Sequence, residues 1–301
     1  MNILPDTRDL INLTERGKLI SPDEFRQYLL NGNHKAILTL NSVRELAAPL
    51  AVGDGDFLRI RRYLQLLEAM PHTYLAEVKV VGIEIQAAVE AFTGGTEYKD
   101  ASPYVRRWDD TILTPSGNLT KHFKQLVGLR LDDIVHDVFR YQPQVFAPLH
   151  EALPNLVTLL RQDRELLRDG KVPAREHFLR SIKKHAAYHK VALPVGKEEE
   201  FARWVYSNPR RCPGLRLNHE VYRRLMRNYA DVPEVGDFVD LNLIFAVPYV
   251  DAATLDNRMR EYCSQAARSL TRLGLAVDYS DRLYRDLASV MQENPSKSGT
   301  A

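Results

Sequence analysis

Four aspartates interrupt a mostly apolar stretch, residues 237–256, and they lie at its ends or beside the break at Pro248: Asp237, Asp240, Asp251 and Asp256. An apolar run of this size should be buried, and a buried carboxylate is costly unless it is paired or bound to a metal. Two interpretations follow from the spacing alone. The aspartates either cap helices and line the surface, or they converge on a cation.

Two further acids follow short apolar segments in the first part of the chain. Ile3-Leu4 has the character of a buried strand that ends at Pro5 and delivers Asp6. Residues 36–40 form a second apolar run of strand length, and Glu45 lies one turn inside the helix that Asn41-Ser42 would cap. The alternatives are ordinary ones: Asp6 as a turn residue and Glu45 as a solvated helix residue.

Basic side chains suited to phosphate are concentrated between residues 210 and 227. Arg223 and Arg227 are four apart and share a face of a helix predicted from His219 to Tyr229. Phosphates need such donors, and Trp204 or Tyr206 could stack a base. A run of arginines is also typical of a solvated helix face. The candidate nucleic-acid ligands are Arg211, Arg216, Arg223, Arg227 and, after Asp256, Arg258.

The elements that must position these acids indicate an α/β fold. The opening segments repeat one order, a short buried strand, a polar turn, a carboxylate and a helix, which is typical of a parallel sheet with ligands beyond the carboxyl ends of its strands. The same order returns after residue 231, as a helix over 237–246, a strand over 249–255, a helix over 257–270 and a final strand over 274–279. Asp237 and Asp240 share one face of the first of these helices.

The middle of the chain has a different character. From about residue 57 to residue 229, apolar positions recur mainly at helical spacing, and strand-like alternation is scarce. We therefore predict a parallel-sheet core formed by both chain ends, residues 1–55 and 231–301, which together make one discontinuous domain. Residues 56–230 are predicted to be a mainly α-helical insertion.

The ordered acidic segments resemble the PIN-like nuclease family, over roughly residues 1–50 and 231–290. The matching segments read Ile-Leu-Pro-Asp6, Ile-Leu-Thr-Leu-Asn-Ser-Val-Arg-Glu45, Gly-Asp237-Phe-Val-Asp240 and Thr254-Leu-Asp256. The family pattern is a strand followed by Asp, a strand followed by Glu, an Asp at a helix start, and a strand ending in Thr-x-Asp. The helical insertion departs from this compact family, and the third acid is either Asp237 or Asp240.

The resemblance implies a PIN-like, metal-dependent endoribonuclease that uses Mg²⁺ or Mn²⁺. The resemblance also implies that Asp6, Asp240 and Asp256 hold the metal directly or through water. Glu45 would complete the site or orient the nucleophilic water. Asp237 and Asp251 would be alternative or outer ligands. RNA is the expected substrate and an inhibitory or regulatory protein a further partner. The alternatives are a flap-type DNA nuclease and a PIN-like or helical interaction module without turnover.

Composition limits the kind of partner and compartment. The formal net charge is only +2, so a nucleic-acid surface must be a local patch. The two cysteines, Cys212 and Cys263, have no metal-type spacing, which favours a reduced, cytoplasmic setting. The first residues lack the regions of a signal peptide, and no apolar run approaches about 18 residues, so no membrane association is expected.

Overall fold

A mostly parallel sheet organises the fold. The computed structural model describes residues 1–15, 20–51, 57–95, 102–105, 131, 135, 162–167, 172–228, 230, 236–274 and 278–295. Within these residues six strands form one sheet in the order β4-β3-β2-β1-β5-β6. The strands are β1 (Asn2–Leu4), β2 (Lys35–Thr39), β3 (His72–Leu75), β4 (Tyr104–Val105), β5 (Ala252–Thr254) and β6 (Leu283–Tyr284). Only the pairing of β3 with β4 is antiparallel.

Helices connect the strands and cover both faces of the sheet. In chain order they are α1 (Thr7–Thr14), α2 (Pro22–Asn31), α3 (Leu40–Ala51), α4 (Phe57–Ala69), α5 (Glu77–Gly94), α6 (Ala174–Tyr188), α7 (Glu198–Ser207), α8 (Pro213–Arg227), α9 (Gly236–Ile244), α10 (Asn257–Arg272) and α11 (Leu287–Glu293). Ser21 starts α2 with a complete capping box, as its sequence predicts. None of the helices in the described part of the chain is long and apolar enough to cross a bilayer.

Alternation along the central strands builds two hydrophobic cores. Leu4, Ile37 and Ala253 point to the side covered by α5 to α10, while Ile3 and Ala36 point to the side covered by α1 to α4 and α11. Successive side chains of a strand face opposite ways, so a strand covered on both faces is apolar throughout. This explains why β1 and β2 are continuous apolar runs in the sequence.

The C-terminal strands differ from their prediction in length and place. The strand expected over 249–255 is β5, Ala252–Thr254, because Pro248 forms part of a 3₁₀ turn, Val247–Tyr249, before it. The centre of the strand predicted over 274–279 is not tested. Tyr279–Arg282 is a 3₁₀ turn and the edge strand β6 follows it. Residues 275–277 lie outside the described part.

The sheet extends beyond the two chain ends that were expected to form it. Strands β3 and β4 both come from residues 56–230, the predicted helical insertion, and β3 pairs in parallel with β2 along four positions. Three of the four residues of β3 are only half-buried. Because the strand is near the edge of the sheet and begins with His72 and Thr73, it lacks the apolar pattern that marks β1 and β2.

Candidate metal centre

The ends of two neighbouring strands bring Asp6 and Asp256 together. Strands β1 and β5 run parallel, with Leu4 opposite Ala253, and each is followed two residues later by one of these aspartates. The Thr254 hydroxyl accepts a hydrogen bond from the Asp6 backbone N–H at 2.6 Å and ties the two strand ends together. The burial of the Asp6 carboxyl raises its pKa, and the nearby Asp256 carboxylate raises it further. The two acids therefore share one edge of the sheet.

Asp6 and Asp256 are also helix caps, so the two interpretations of the sequence are compatible. Asp6 Oδ1 accepts from the Arg8 N–H at 2.8 Å at the start of α1, and Asp256 Oδ1 accepts from the Met259 N–H at 2.7 Å at the start of α10. Each cap uses one carboxylate oxygen and leaves Oδ2 for another ligand. The helix N-terminus also favours a negative charge at each position.

Asp240 on α9 lies where the other acids converge. Its pKa is raised to about 8, first by burial and then by the negative charges of Asp256, Asp6, Glu45 and Asp237. A carboxyl group opposed by like charges holds its proton to higher pH. Three acids from distant parts of the chain, together with Asp237 on the same helix, therefore act on this one side chain, and each would repel its ionised form.

Asp237 has a different role from Asp240, although both lie on α9. Its side chain is 1% exposed and forms an ion pair with the Arg258 guanidinium of α10. A buried carboxylate needs such a partner. Of the two candidates for the third acid, Asp240 is the one whose ionised form is opposed by Asp6, Glu45 and Asp256. Asp237 is bound by Arg258, which was itself a candidate nucleic-acid ligand.

Glu45 is held by a hydroxyl from α1. Thr7 Oγ1 donates a hydrogen bond to Glu45 Oε2. The half-buried position of Glu45 raises its pKa, and the charge of Asp6 adds to that effect, while the bond from Thr7 opposes it. Glu45 thus approaches the cluster from α3 with one oxygen already fixed in place.

Asp9 belongs to the same region and was not among the predicted site residues. Its side chain is 5% exposed, and burial raises its pKa to about 6 against the opposing hydrogen bond from Thr254. Among the described residues its Oδ2 atom has no hydrogen-bond partner. The spacing in the sequence could have identified Asp9, because it is three positions after Asp6 and therefore lies on the same side of the start of α1.

The donor set of the carboxylate cluster, which we define as Asp6, Glu45, Asp240 and Asp256, suits a hard divalent cation. Mg²⁺ and Mn²⁺ prefer carboxylate oxygens, and Mg²⁺ keeps several waters, so one or two direct carboxylates suffice. Within the described residues no group of three or more His, Cys, Asp or Glu side chains has its ligand atoms gathered on one point. In the described part of the chain these acids therefore match such an ion in ligand type without forming a preassembled set of ligands.

The prediction of Asp251 as a metal ligand is not supported by its position. Its exposed side chain accepts from the Asn2 N–H at 2.7 Å, at the start of β1, which is the opposite edge of the sheet from Asp6. Asp251 and Asp256 lie five positions apart on either side of β5, and a strand rises about 3.3 Å per residue. Asp251 therefore lies too far along the strand to join the cluster.

Two of the predicted nucleic-acid ligands make contacts within the protein instead. Arg216 is 0% exposed, and its guanidinium lies over the rings of Tyr206 at 4.1 Å and Phe178 at 4.9 Å. It cannot contact a nucleic acid, because its position on α8 faces the core. Arg211 lies 3.2 Å over the Trp204 ring, the aromatic surface that was expected to stack a base.

Arg223, which is paired with Glu220, and Arg227 lie along a cleft between α8 and α10. The cleft has a volume of about 390 Å³ and is also lined by Glu220 and Arg224 of α8. It is distinct from the carboxylate cluster in composition, since its walls carry mostly positive charge.

No family model, curated protein or solved structure matches this chain.

Proposed function

We propose that this chain is a metal-dependent endoribonuclease that hydrolyses RNA phosphodiester bonds at the carboxylate cluster. The observation that carries the proposal is the convergence of Asp256, Asp6, Glu45 and Asp237 on Asp240, whose pKa is raised to about 8 by burial first and by these negative charges second. Such a set is stable in its ionised form only beside positive charge. The resemblance of the acidic segments to PIN-like nucleases supports a divalent cation in that role.

The side chains of the carboxylate cluster would have different roles in the reaction. Asp6, Asp240 and Asp256 would hold Mg²⁺ or Mn²⁺ directly or through water. When bound, the ion would supply a water of lowered pKa and offset negative charge on the phosphate. Glu45, fixed by Thr7, is placed to orient the attacking water or to accept its proton. Arg258 keeps Asp237 paired, so that Asp237 acts as a positioning residue.

The test is a cleavage assay with labelled single-stranded RNA and DNA in Mg²⁺, Mn²⁺ or EDTA. We expect the wild type to cleave RNA with either metal and not in EDTA. Asp240→Asn removes a charged ligand without changing its size, so the cleavage rate should fall by roughly 100-fold or more.

Asp251→Asn is the matched control. It makes the same chemical change at the opposite edge of the sheet, and it should cleave RNA at the wild-type rate. Undiminished cleavage by Asp240→Asn would reject the mechanism. Cleavage of branched DNA instead of RNA would assign the flap-type alternative, and no cleavage of either would assign the interaction module.

A further inference from the structure

The cleft between α8 and α10 has the size and polarity of a ligand site. Its volume of about 390 Å³ lies within the range of small-ligand pockets. Seven described side chains line it: Glu220, Arg223, Arg224, Arg227, Asn228, Tyr262 and Gln265. All are polar or carry a polar group, so the cleft suits a charged ligand better than an apolar one.

Positive charge is in excess in this cleft. Arg223 Nη1 donates to both carboxylate oxygens of Glu220, at 3.0 and 3.2 Å. Arg224 donates to neutral groups, Gln265 Oε1 at 3.2 Å and Ser269 Oγ at 2.6 Å. Arg227 is exposed at the end of α8. Three guanidinium groups therefore face a single carboxylate among the lining residues, and the cleft should attract an anion.

Two donors in the cleft region lack acceptors. The Nε atoms of Arg223 and Arg224 are buried, and neither has a hydrogen-bond partner in the described part of the chain. An unmade bond of a buried charged group is costly. Because these two atoms are buried, a ligand in the cleft does not reach them, and the exposed Arg227 is the group that can donate two parallel hydrogen bonds to a phosphate.

Helix α10 connects this cleft to the carboxylate cluster. Its N-cap is Asp256, and Arg258, Tyr262, Gln265 and Ser269 recur at spacings of four, three and four, which places them on one face. Tyr262 and Gln265 are six and nine positions beyond Asp256, and a helix rises about 1.5 Å per residue, so the cleft begins roughly 9 Å along the axis. An extended strand of a few nucleotides can cover that distance.

We propose that this arginine cleft binds a phosphate group of the nucleic-acid strand that is cut at the carboxylate cluster. The cluster is acidic and would by itself repel a polyanion, and the cleft supplies the compensating attraction at a fixed spacing from it. The identity of the bound strand as substrate depends on the proposed nuclease function. Binding of phosphate by the cleft does not, because it needs no metal.

The first test measures binding of a short single-stranded RNA in EDTA, where no cleavage occurs. The variant is Arg224→Gln with Arg227→Gln. The control is Arg26→Gln with Arg62→Gln, which removes the same charge from exposed positions on α2 and α4, under the opposite face of the sheet. We expect the cleft variant to bind roughly 30-fold more weakly than the control, and its salt dependence to be shallower by about 1.4 in log–log slope.

The second test separates positioning from damage to the fold. With long RNA and Mg²⁺, the cleft variant should show a KM raised roughly 30-fold and a kcat within about twofold of the control. A dinucleotide is too short to reach from the cluster to the cleft, so both proteins should cleave it alike. A loss of dinucleotide cleavage in the cleft variant would mean that the substitutions disturb the cluster, and it would overturn the proposal.

The two proposals fail in different ways. If the cleft variant and the control bind RNA equally tightly and with the same salt dependence, the proposal that the arginine cleft binds phosphate is overturned. The cleavage proposal would still stand. If the wild type cleaves nothing but the cleft variant still loses affinity for RNA, the nuclease proposal fails and the phosphate site stands. Absence of any RNA binding by the wild type would overturn the cleft as well.

Discussion

Raised pKa values occur in this protein in two opposite surroundings, at two fully buried glutamates and at the half-buried Asp240. Glu77 and Glu84 of α5 are 0% exposed, and burial raises the pKa of each to about 7. Glu77 accepts from the N–H groups of Leu40 and Asn41, and Glu84 from those of Gly214 and Leu215. The two glutamates therefore close the first turns of α3 and α8. In the carboxylate cluster, Asp240 faces other carboxylates instead.

The difference shows that a raised pKa alone does not identify a functional acid. The oxygens of Glu77 and Glu84 point at backbone donors that a helix start leaves unpaired, so these side chains complete the fold. Asp6 and Asp256 also accept from helix-start donors with one oxygen each, but the acids around Asp240 oppose its ionised form, so the set favours a positively charged ligand. The partners of each acid separate a structural role from a binding role.

The largest effect is expected when a structural acid is removed. Glu84→Ala leaves the Gly214 and Leu215 N–H groups and the Tyr249 hydroxyl without their acceptor, so the free energy of unfolding should fall by about 4 kcal/mol. Urea unfolding in EDTA measures the change. Glu90→Ala, at an exposed position of the same helix, should cost less than about 0.5 kcal/mol. Equal losses in the two variants would contradict the structural role.

A divalent cation should stabilise the protein through the cluster alone. At Mg²⁺ or Mn²⁺ concentrations near 100 times the dissociation constant, the free energy of unfolding should rise by about 2.7 kcal/mol, because the ion binds only the folded state. Thermal unfolding with and without EDTA measures this rise. Glu84→Gln should keep the metal-dependent rise and Asp240→Asn should lose it. A rise of the same size in both variants would place the metal elsewhere.

The sequence predicts those parts of the fold and site that follow from local patterns. Apolar runs reveal β1 and β2 because helices cover both their faces, and parallel strands bring Asp6 and Asp256 to one edge of the sheet. The short edge strand β6 has no such pattern and was not predicted. Strand β3 was missed because most of its side chains are only half-buried.

Contacts between distant segments lie beyond this kind of prediction. Glu84 meets Gly214 across 130 positions of the chain, and no local spacing indicates that pairing. Arg216 has the sequence context of a basic patch, yet α8 turns it into the core over two aromatic rings. Asp251 comes after the break at Pro248 and Asp256 comes after β5, so their sequence contexts are similar. Asp251 nevertheless lies at the opposite edge of the sheet. The packing of distant segments determines the roles of these three side chains, and that packing cannot be inferred from the composition of the chain.

The smallest predicted effect reverses the usual sign of a substitution at a buried acid. The pKa of Asp240 is about 8 in the folded protein and near 3.8 when unfolded, so the folded state holds the extra proton between these values. Its stability therefore falls as the pH rises from about 4 through 8. Asn carries no charge to repel, so Asp240→Asn should be more stable than the wild type in EDTA at pH 8, while near pH 4 the two should be equal. We expect a gain of about 2 kcal/mol, less than the full linkage value of about 5 kcal/mol, because the neighbouring acids titrate together with Asp240.

The corresponding substitution of an acid by its amide at Glu84, Glu84→Gln, should lower the free energy of unfolding instead of raising it. Glu84→Gln replaces an acceptor oxygen by an N–H₂ group that faces the backbone N–H donors of α8, so it should destabilise the protein at both pH values. Urea unfolding of the two variants and the wild type at pH 5 and pH 8 gives the comparison. A stabilised Glu84→Gln, or an Asp240→Asn no more stable than the wild type at pH 8, would remove the distinction between acids that face donors and acids that face each other.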